Sequence, residues 1–341
     1  MVSKLSYYVE MGRRVHPRGA VPKVWNYLKY RLSRKEARTN IAAFTPQIAS
    51  IMLTKRCNLA CDYCSVGNII NQPGPAWREG EATLAKIKRI FANPLFSNCL
   101  LVDLLGGEPL LVKDLESIVA YLAGNGHMVN MATNGINLIS RIAALKEAGI
   151  SRINVSLYEE NRAELARELP RINRVFPVHV SLVLLRSVLE QPHEALFDRV
   201  RAVREAGCKS LRFYVYRPMG KVPKPDEVID DSMPAYRAFR ARMDRALPGF
   251  VLWPAATRAA LVDKRCPQLW QRVSCDVSGA MGICCGTDRA LSGPNANLFN
   301  APPDVVFNHP TLVGMRRQLL APGVEPPEVC RTCNLLGEPG W

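Results

Sequence analysis

The chain has 341 residues and a formal net charge of +15, with 48% hydrophobic and 22% charged residues. This length is enough for one large core, or for a main domain with a smaller appendage, and the composition is ordinary for a globular protein. No apolar run approaches the roughly 18–20 residues that cross a bilayer, and the basic N-terminus lacks the apolar segment of a secretory signal. These features argue against an integral membrane protein and predict a cytoplasmic location.

Residues 1–46 are predicted to form a basic N-terminal extension. The first 40 residues contain ten Lys or Arg residues against two Glu residues, a net +8, and they are interleaved with Tyr and Trp residues. A basic segment with aromatic residues can contact an anionic substrate, a membrane surface or a nucleic acid, and a nucleic acid is the least expected of the three. The alternative is a partly helical extension that packs on the rest of the protein and leaves its charges in solvent.

Between residues 47 and 217, short runs of β-branched and aliphatic residues alternate with helical stretches. The predicted strands are 48–54, 101–105, 127–132, 152–157, 178–185 and 210–216. The predicted helices are 81–92, 112–124, 138–148, 160–174 and 194–206. This alternation predicts an α/β fold with a parallel sheet and right-handed crossovers, and the nearly continuous apolar strands fit a sheet that is covered on both faces.

The chemically suggestive motifs of this region each follow a predicted strand directly. Residues 57–64 follow the first strand, residues 106–109 the second, residues 133–135 the third and residues 156–159 the fourth. The carboxyl ends of parallel strands meet at one edge of a sheet or barrel, where ligand sites are built. The sequence therefore predicts one site that collects all of these motifs.

Three cysteines form the first motif: Cys57, Cys61 and Cys64 are separated by three and by two residues. Three thiolates on a tight loop can each bind one iron of a 4Fe–4S cube, which leaves the fourth iron open to a ligand. The alternative is a zinc site, but zinc normally has four ligands in Cys-x-x-Cys pairs, and no further His or Cys follows nearby. The spacing therefore favours an iron–sulfur cluster.

This spacing, with Tyr63 before the third cysteine, resembles the CxxxCxΦC signature of the radical S-adenosylmethionine (SAM) superfamily. The resemblance implies a partial (β/α)6 TIM-like barrel over residues 47–217, with Cys57, Cys61 and Cys64 as the catalytic cluster ligands. It also implies that SAM binds the open iron and is cleaved to a 5′-deoxyadenosyl radical, which abstracts hydrogen from a substrate. Tyr63 would lie beside the adenine, and an external electron donor of the flavodoxin or ferredoxin type would supply the electron.

A second motif of that family, Gly106-Gly107-Glu108-Pro109, follows the second predicted strand. Glycines allow a backbone to approach a ligand closely, and a carboxylate can accept hydrogen bonds from the ammonium group of methionine. We therefore expect Gly106, Gly107, Glu108 and Pro109 to contact SAM.

After the fourth predicted strand, Ser156 matches the Ser-x-Asp-Gly motif of related enzymes, whereas Tyr158 and Glu159 depart from it. Ser156 is therefore a predicted SAM contact, and the role of the missing aspartate is in doubt. Asn134 and Arg186 are positional candidates, for which a tight turn and a surface charge are the alternatives.

The C-terminal region contains Cys266-x12-Gly279-x4-Cys284, followed by Cys330-x2-Cys333. The last pair alone would suit half a zinc ribbon. The whole arrangement resembles the SPASM/twitch domains of radical SAM enzymes, in which CxnGxxxxC forms a β-hairpin. The resemblance implies a small twitch/SPASM-like domain over residues 266–341, with an auxiliary 4Fe–4S cluster held by Cys266, Cys284, Cys330 and Cys333.

Four other cysteines are expected to be buried rather than to bind metal: Cys99, Cys208, Cys275 and Cys285, although the last two are alternative ligands. The intervening residues 218–265 are predicted to be a linker that includes an amphipathic helix at 232–246. Arg212, Tyr214, Tyr216 and Arg217, at the last predicted strand, either face a substrate or pack in the core.

The resemblance leaves the substrate open. The first hypothesis is a small molecule of natural-product biosynthesis, such as a sugar, an aminocyclitol or a nucleoside-type intermediate, that undergoes epimerisation, dehydrogenation or a related C–H modification. The alternatives are a peptide or protein maturase that forms a crosslink, an epimer or a formylglycine, and an enzyme that acts on a lipid at the membrane surface. A zinc-stabilised scaffold or nucleic-acid module would contain zinc instead of iron and sulfide.

Overall fold

The computed structural model describes residues 17–32, 42, 45–61, 64, 80–191, 194–217, 224–230, 232–253, 266–284, 289–331, 333 and 336. The predictions for Tyr63 and Cys285, and for the first 16 residues, lie outside these described residues.

A single parallel sheet forms the centre of the described structure. Its strands are β1 (Ile48–Met52), β2 (Leu101–Leu105), β3 (Met128–Thr133), β4 (Arg152–Ser156), β5 (His179–Leu184), β6 (Ser210–Val215), β7 (Val251–Leu252) and β8 (Arg272–Asp276). The strand order is β7-β6-β5-β4-β3-β2-β1-β8, and neighbouring strands run parallel. Because β7 and β8 lie at opposite edges, the sheet is an open barrel, and the predicted α/β fold with its six core strands is confirmed.

Two strands were not predicted from the sequence, β7 and β8. β7 has only two residues, which is too short for a periodic pattern. β8 lies within residues 266–341, where little regular structure was expected, yet it pairs with β1 so that Ser274 is opposite Ser50. That expectation is wrong for β8, which continues the main sheet, and its Arg and Asp residues interrupt the apolar run that would have marked it.

Helices cover the sheet and close its amino-terminal end. They are α1 (Pro17–Leu32), α2 (Leu84–Phe91), α3 (Pro94–Ser97), α4 (Leu115–Gly124), α5 (Leu138–Glu147), α6 (Arg162–Val175), α7 (Arg186–Leu189), α8 (Glu194–Glu205), α9 (Pro234–Ala246), α10 (Gln268–Gln271), α11 (Pro303–Phe307) and α12 (Pro310–Leu320). The six predicted helices are confirmed, with ends shifted by at most three residues. Within the described residues, no helix combines the length and the apolar character that a bilayer crossing needs.

The two faces of the sheet differ in chemistry. Side chains on the outer face, such as Val102, Leu104 and Val155, are fully buried in the core beneath the helices. The inner face is polar: Asn130 Nδ2 donates to Asp103 Oδ1 at 2.7 Å between neighbouring strands. The expectation of apolar strands on both faces is therefore wrong for the inner face, because the curved sheet encloses a lumen instead of packing on a second layer.

Helix α1 packs against the amino-terminal end of the barrel. The Tyr27 side chain contacts a small apolar cluster formed by Ile48, Leu100, Leu101 and Met128. Lys23 Nζ donates to the carbonyl oxygen of Asn125 at 2.9 Å, and burial lowers the pKa of this amine. The described part of the N-terminal extension is thus a helix packed on the barrel, which was the alternative interpretation of this segment.

Candidate functional site

The cysteine loop after β1 rests directly on the loop after β2. The Gly107 N–H donates to the Thr54 carbonyl at 2.7 Å, and the Glu108 N–H donates to the Arg56 carbonyl at 2.8 Å. A Cβ atom on Gly106 would lie 2.6 Å from the Thr54 oxygen, and one on Gly107 would lie 2.1 Å from the Arg56 oxygen. In this structure, therefore, the glycines admit the backbone of the cysteine loop, whereas the sequence interpretation assigned that close approach to a ligand.

Cys57, Cys61 and Cys64 are partly exposed on this loop and lie close together, since the charges of Cys57 and Cys64 both help to raise the pKa of Cys61. Burial is the main cause that raises the pKa of Cys61 to about 12 and that also raises the pKa of Cys57. The Leu59 N–H points at the Cys57 sulfur at 3.4 Å, and Asn134 Nδ2 lies 3.9 Å from it. Soft sulfur donors that receive N–H groups suit an iron–sulfur cluster, because metal binding displaces the thiol proton and N–H groups stabilise the resulting charge.

A single metal ion fits less well. Across the described part of the chain, no three His, Cys, Asp or Glu side chains come together as the ligands of one ion would. A mononuclear zinc site requires such convergence, since each ligand atom lies only about 2.0–2.3 Å from the metal.

The Glu108 side chain is only 1% exposed and binds groups of the chain itself. Its carboxylate accepts hydrogen bonds from the Thr133 hydroxyl at 2.6 Å, the Asn134 N–H at 2.7 Å and the Leu110 N–H at 2.9 Å. Burial raises the pKa of Glu108 more than these three bonds lower it. These contacts join the loops after β2 and β3, and Pro109 begins a short turn behind them. The contact of Glu108 with the ammonium group of SAM stays a prediction.

Two asparagines connect the loops after β1, β3 and β4. Asn134 Nδ2 donates to Asn58 Oδ1 at 2.7 Å, beside the cysteine loop. Asn161 is 1% exposed, and its Nδ2 donates to the Asn134 carbonyl at 2.6 Å and to the Ser156 carbonyl at 2.8 Å. Sequence reasoning missed Asn161, whose one local signal was its position at the start of the predicted helix 160–174, where asparagine is common.

Ser156 ends β4 at the same edge of the sheet. Its hydroxyl lies 3.3 Å from the Ser181 hydroxyl and also forms a hydrogen bond with the Tyr158 side chain. Burial raises the pKa of Tyr158, and the charges of Cys61, Cys64 and Cys57 raise it further. Tyr158, one of the residues that depart from the family motif, therefore lies near both Ser156 and the three cysteines.

Residues near β5 and β6 divide between the surface, the core and the lumen. Arg186 is half-exposed and pairs with Glu190 at 2.9 Å, which matches its alternative interpretation as a surface charge. Tyr216 is buried, and its hydroxyl accepts the Lys224 N–H at 3.0 Å, so it packs against the chain. Arg212 and Tyr214 alternate with the buried Phe213 and therefore lie on the inner face of β6.

The C-terminal cysteines are partly brought together. The Gly282 N–H donates to the Ser274 carbonyl at 2.9 Å, and Gly279 has a φ of +82° in the intervening turn, so the expected hairpin is present. Burial raises the pKa of Cys330 to about 12, with the charges of Cys284 and Cys333 as further causes, which places these three thiols near one another.

The remaining cysteines are buried. Cys266 is buried just before α10, and its place in the same ligand set stays a prediction. Cys275 is buried in β8, where the nearby Cys99 and Asp276 add to the effect of burial in raising its pKa. Burial, the expectation for Cys275, Cys99 and Cys208, is confirmed.

Comparison with known proteins gives both curated relatives and solved structures. GTP 3′,8-cyclase of Mycobacterium ulcerans (strain Agy99) is 42% identical over 118 residues, which are 34% of this chain and 32% of that protein. GTP 3′,8-cyclase of Mycobacterium sp. (strain KMS) is 33% identical over 195 residues, which are 55% of this chain and 46% of that protein. The chain thus spans about a third to a half of the length of the curated relatives it matches.

Among solved structures, Streptococcus suis SuiB bound to S-adenosylmethionine has a TM-score of 0.59 at 14% identity, covering 85% of this chain and 72% of that one. This likeness shows the fold. The family model for the radical SAM superfamily matches residues 51–221, half of the chain, and these residues contain the three-cysteine loop, the Gly-Gly-Glu-Pro loop and strands β2 to β6. With that match and that fold, the protein belongs to the radical SAM superfamily and is an enzyme whose cofactors are a 4Fe–4S cluster and SAM.

Proposed function

We propose that this enzyme cleaves SAM reductively and abstracts hydrogen from a small polar substrate, preferably a nucleoside-type molecule rather than a sugar or an aminocyclitol. The observation that carries the proposal is the polar inner face of the barrel, which continues from Ser156 through Ser181 to Arg212 in one row of paired residues. Such a lining suits a hydrogen-bonding substrate better than a hydrocarbon chain. The relatives named GTP 3′,8-cyclase support the nucleoside class.

In this proposal Cys57, Cys61 and Cys64 hold the catalytic cluster, which supplies the electron that breaks a carbon–sulfur bond of SAM. The residues that contact SAM are Tyr63, Gly106, Gly107, Glu108, Pro109 and Ser156. Glu108 also positions this site, because its carboxylate holds the loop after β3 against the loop after β2. Members of the superfamily need an external reductant, for which we propose a flavodoxin or ferredoxin.

We further propose that Cys266, Cys284, Cys330 and Cys333 hold an auxiliary 4Fe–4S cluster in a twitch/SPASM-like region. Support comes from the approach of Cys284, Cys330 and Cys333 and from the hairpin that precedes Cys284. Full ligation by four cysteines would suit electron transfer, and the reaction would then include a net oxidation such as dehydrogenation. Cys330→Ala should halve the iron content per reconstituted chain, and an unchanged iron content would contradict this assignment.

The cleavage reaction is tested by anaerobic reconstitution, followed by addition of SAM and a reductant. We expect 5′-deoxyadenosine and methionine from the wild type and none from Cys57→Ala. The matched control is Cys208→Ala, which removes a buried thiol between α6 and β6 that accepts from Asn173 Nδ2 at 3.2 Å, and which should retain cleavage. Cleavage by the Cys57 variant, or an iron-free and folded wild type, would contradict the proposal.

The substrate class is tested by deuterium transfer into 5′-deoxyadenosine. Ribose-deuterated nucleotides, deuterated aminocyclitols and a deuterated peptide mixture would be offered separately to the reconstituted enzyme. Transfer from a nucleotide supports the proposal, whereas transfer from the peptides alone would favour the maturase alternative.

A second proposal concerns the location of the enzyme: we propose that α1 rests on an anionic membrane surface on the cytoplasmic side, where the free cysteines stay reduced. Val21, Val24, Trp25 and Leu28 are 68%, 40%, 58% and 41% exposed, and their spacing places them on one side of α1. The opposite side, with Lys23, Tyr27 and Tyr30, faces the barrel. A bilayer with acidic headgroups complements both the apolar stripe and the +8 charge of the first 40 residues.

Vesicle sedimentation tests this contact. The wild type should pellet with phosphatidylglycerol-containing vesicles at low salt, less at high salt, and little with pure phosphatidylcholine. Trp25→Ser should weaken binding, whereas Val324→Ser, at an isolated position that is 45% exposed, should not. Failure to bind anionic vesicles, or self-association through α1 in solution, would contradict the proposal.

A further inference from the structure

On the described strands, the inner face of the barrel carries three arginines and two aspartates. Arg272 is neutralised by Asp103, since its Nη1 lies 2.6 Å from Asp103 Oδ2. Asp276, at the end of β8, is engaged by the hairpin turn, where it accepts the Ser278 N–H at 2.8 Å. Two further arginines, Arg152 on β4 and Arg212 on β6, lie on the same face.

Arg152 and Arg212 flank a histidine on the strand between them. His179 is opposite Ser210, and its Nδ1 lies 2.7 Å from the Ser210 hydroxyl. On β6, Arg212 lies two residues after Ser210 and on the same face of the sheet. On β4, Asn154 is opposite His179, and Arg152 lies two residues before Asn154 on that face. Burial, followed by the charges of the two arginines, lowers the pKa of His179 to about 3, so the ring is neutral and the guanidinium groups provide the charge.

Within the described residues, no carboxylate forms an ion pair with Arg212. A partly buried guanidinium group loses hydration, and proteins normally compensate such a charge with an anion that accepts two parallel hydrogen bonds. Since the described residues provide no such anion for Arg212, a bound molecule is the natural source of the compensating negative charge.

The position of Arg212 relates it to the reaction site. Ser156 is paired with Ser181, and Ser181 is paired with Arg212, so two inter-strand steps of about 4.8 Å place the Arg212 backbone about 10 Å from that of Ser156. Tyr214, which is 43% exposed, lies two residues nearer the open end of β6 on the same face. A molecule anchored at Arg212 would therefore extend towards the loops that follow β1 and β4.

We propose that Arg212 binds an anionic group of the substrate, a carboxylate or a phosphate, and that Arg152 adds to the local positive potential. This inference rests on the proposed function and narrows its substrate class to small anionic molecules, which include nucleotides. The basic N-terminal segment is then not the anion site of the reaction, and its charge serves the membrane contact.

The test uses the reconstituted, SAM-loaded full chain with two probes, inorganic pyrophosphate and malonate, and measures their affinity by calorimetry. At least one probe should bind the wild type, and Arg212→Gln should weaken that binding about 10- to 100-fold, as expected for the loss of a charge-assisted contact. Arg212→Lys should be intermediate. Arg201→Gln, which removes an exposed arginine of α8, should bind like the wild type.

Three results would overturn the inference: neither probe binds, Arg212→Gln binds both as tightly as the wild type, or Arg212→Gln weakens SAM binding by the same factor. The last result would assign the arginine to the carboxylate of SAM. The thermal midpoint of each variant establishes that it folds, and Arg212→Lys provides a conservative replacement. If the wild type still releases 5′-deoxyadenosine from SAM, the failure concerns this site and leaves the proposed SAM cleavage intact.

Discussion

The contact between the Gly-Gly-Glu-Pro loop and the cysteine loop can be tested with a single methyl group. In Gly107→Ala the new Cβ would lie 2.1 Å from the Arg56 carbonyl oxygen and 2.5 Å from its carbon. Both atoms belong to the backbone, so relief requires the two loops to separate, and the residue that follows Arg56 is the first cluster cysteine.

Separation would break the two backbone hydrogen bonds at 2.7 and 2.8 Å that join these loops. Each contributes about 1 kcal/mol net, and overpacking adds about 1–3 kcal/mol, so the loss is about 3–5 kcal/mol. For a chain of 341 residues that corresponds to a fall of about 4–7 °C in the thermal midpoint. Because Cys57 would move with the loop, iron incorporation should fall as well.

The assay compares the anaerobic thermal midpoint and the iron content per chain with those of Gly314→Ala. Gly314 lies within α12, where a Cβ would have no neighbour within 4 Å. Alanine is favoured over glycine in a helix by about 1 kcal/mol, so this variant should keep its iron and lose no stability. If Gly107→Ala matched it in both measurements, the glycine would not be needed for the loop contact and the reasoning would be refuted.

Three further predictions concern buried polar groups. Arg272→Met leaves Asp103 as an unpaired charge in the lumen and should lower the free energy of unfolding by about 3–5 kcal/mol. Adding Asp103→Asn to this variant should restore much of the lost stability. If Arg272→Met alone were as stable as the wild type, the pairing would be disproved. Burial lowers the pKa of His127 to about 3, so below pH 6.5 the unfolded chain binds a proton that the folded protein does not. The free energy of unfolding should therefore fall by about 1.4 kcal/mol per pH unit as the pH drops below 6.5. His127→Asn should lack this slope in acid titrations. Asn161→Ala removes two bonds between the loops after β3 and β4 and should raise the dissociation constant for SAM, so an unchanged constant would rule out a positioning role.

Local patterns in the sequence were sufficient for the fold class and for the elements that surround the site. The alternation of apolar runs with helical stretches predicted β1 to β6 within a few residues. Each of these strands is only five or six residues long, so its pattern lies within one short stretch of sequence. The spacing of Cys57, Cys61 and Cys64 indicated an iron–sulfur cluster for the same reason, since all three ligands lie within one short loop.

The partners of individual side chains depended on the tertiary structure. The hydrogen bonds of Glu108 with Thr133 and with the Asn134 N–H were not predicted, because only the folded chain brings these groups to its carboxylate. Asn161 carried no chemical motif at all, and its function as a bridge exists only because two loops that lie more than 20 residues apart become neighbours.

The sequence by itself determined an α/β fold with a parallel sheet and a cysteine loop after its first strand, and the partial barrel was implied by the family resemblance. Only the folded chain decided that residues 272–276 extend the sheet beside β1, that Arg272 meets Asp103 169 residues away, and that the inner face is polar with an unneutralised Arg212. The physical reason is that periodicity and spacing are properties of one short segment of the chain. Pairing between strands and compensation of charge depend instead on which distant segment the folded sheet places next to it.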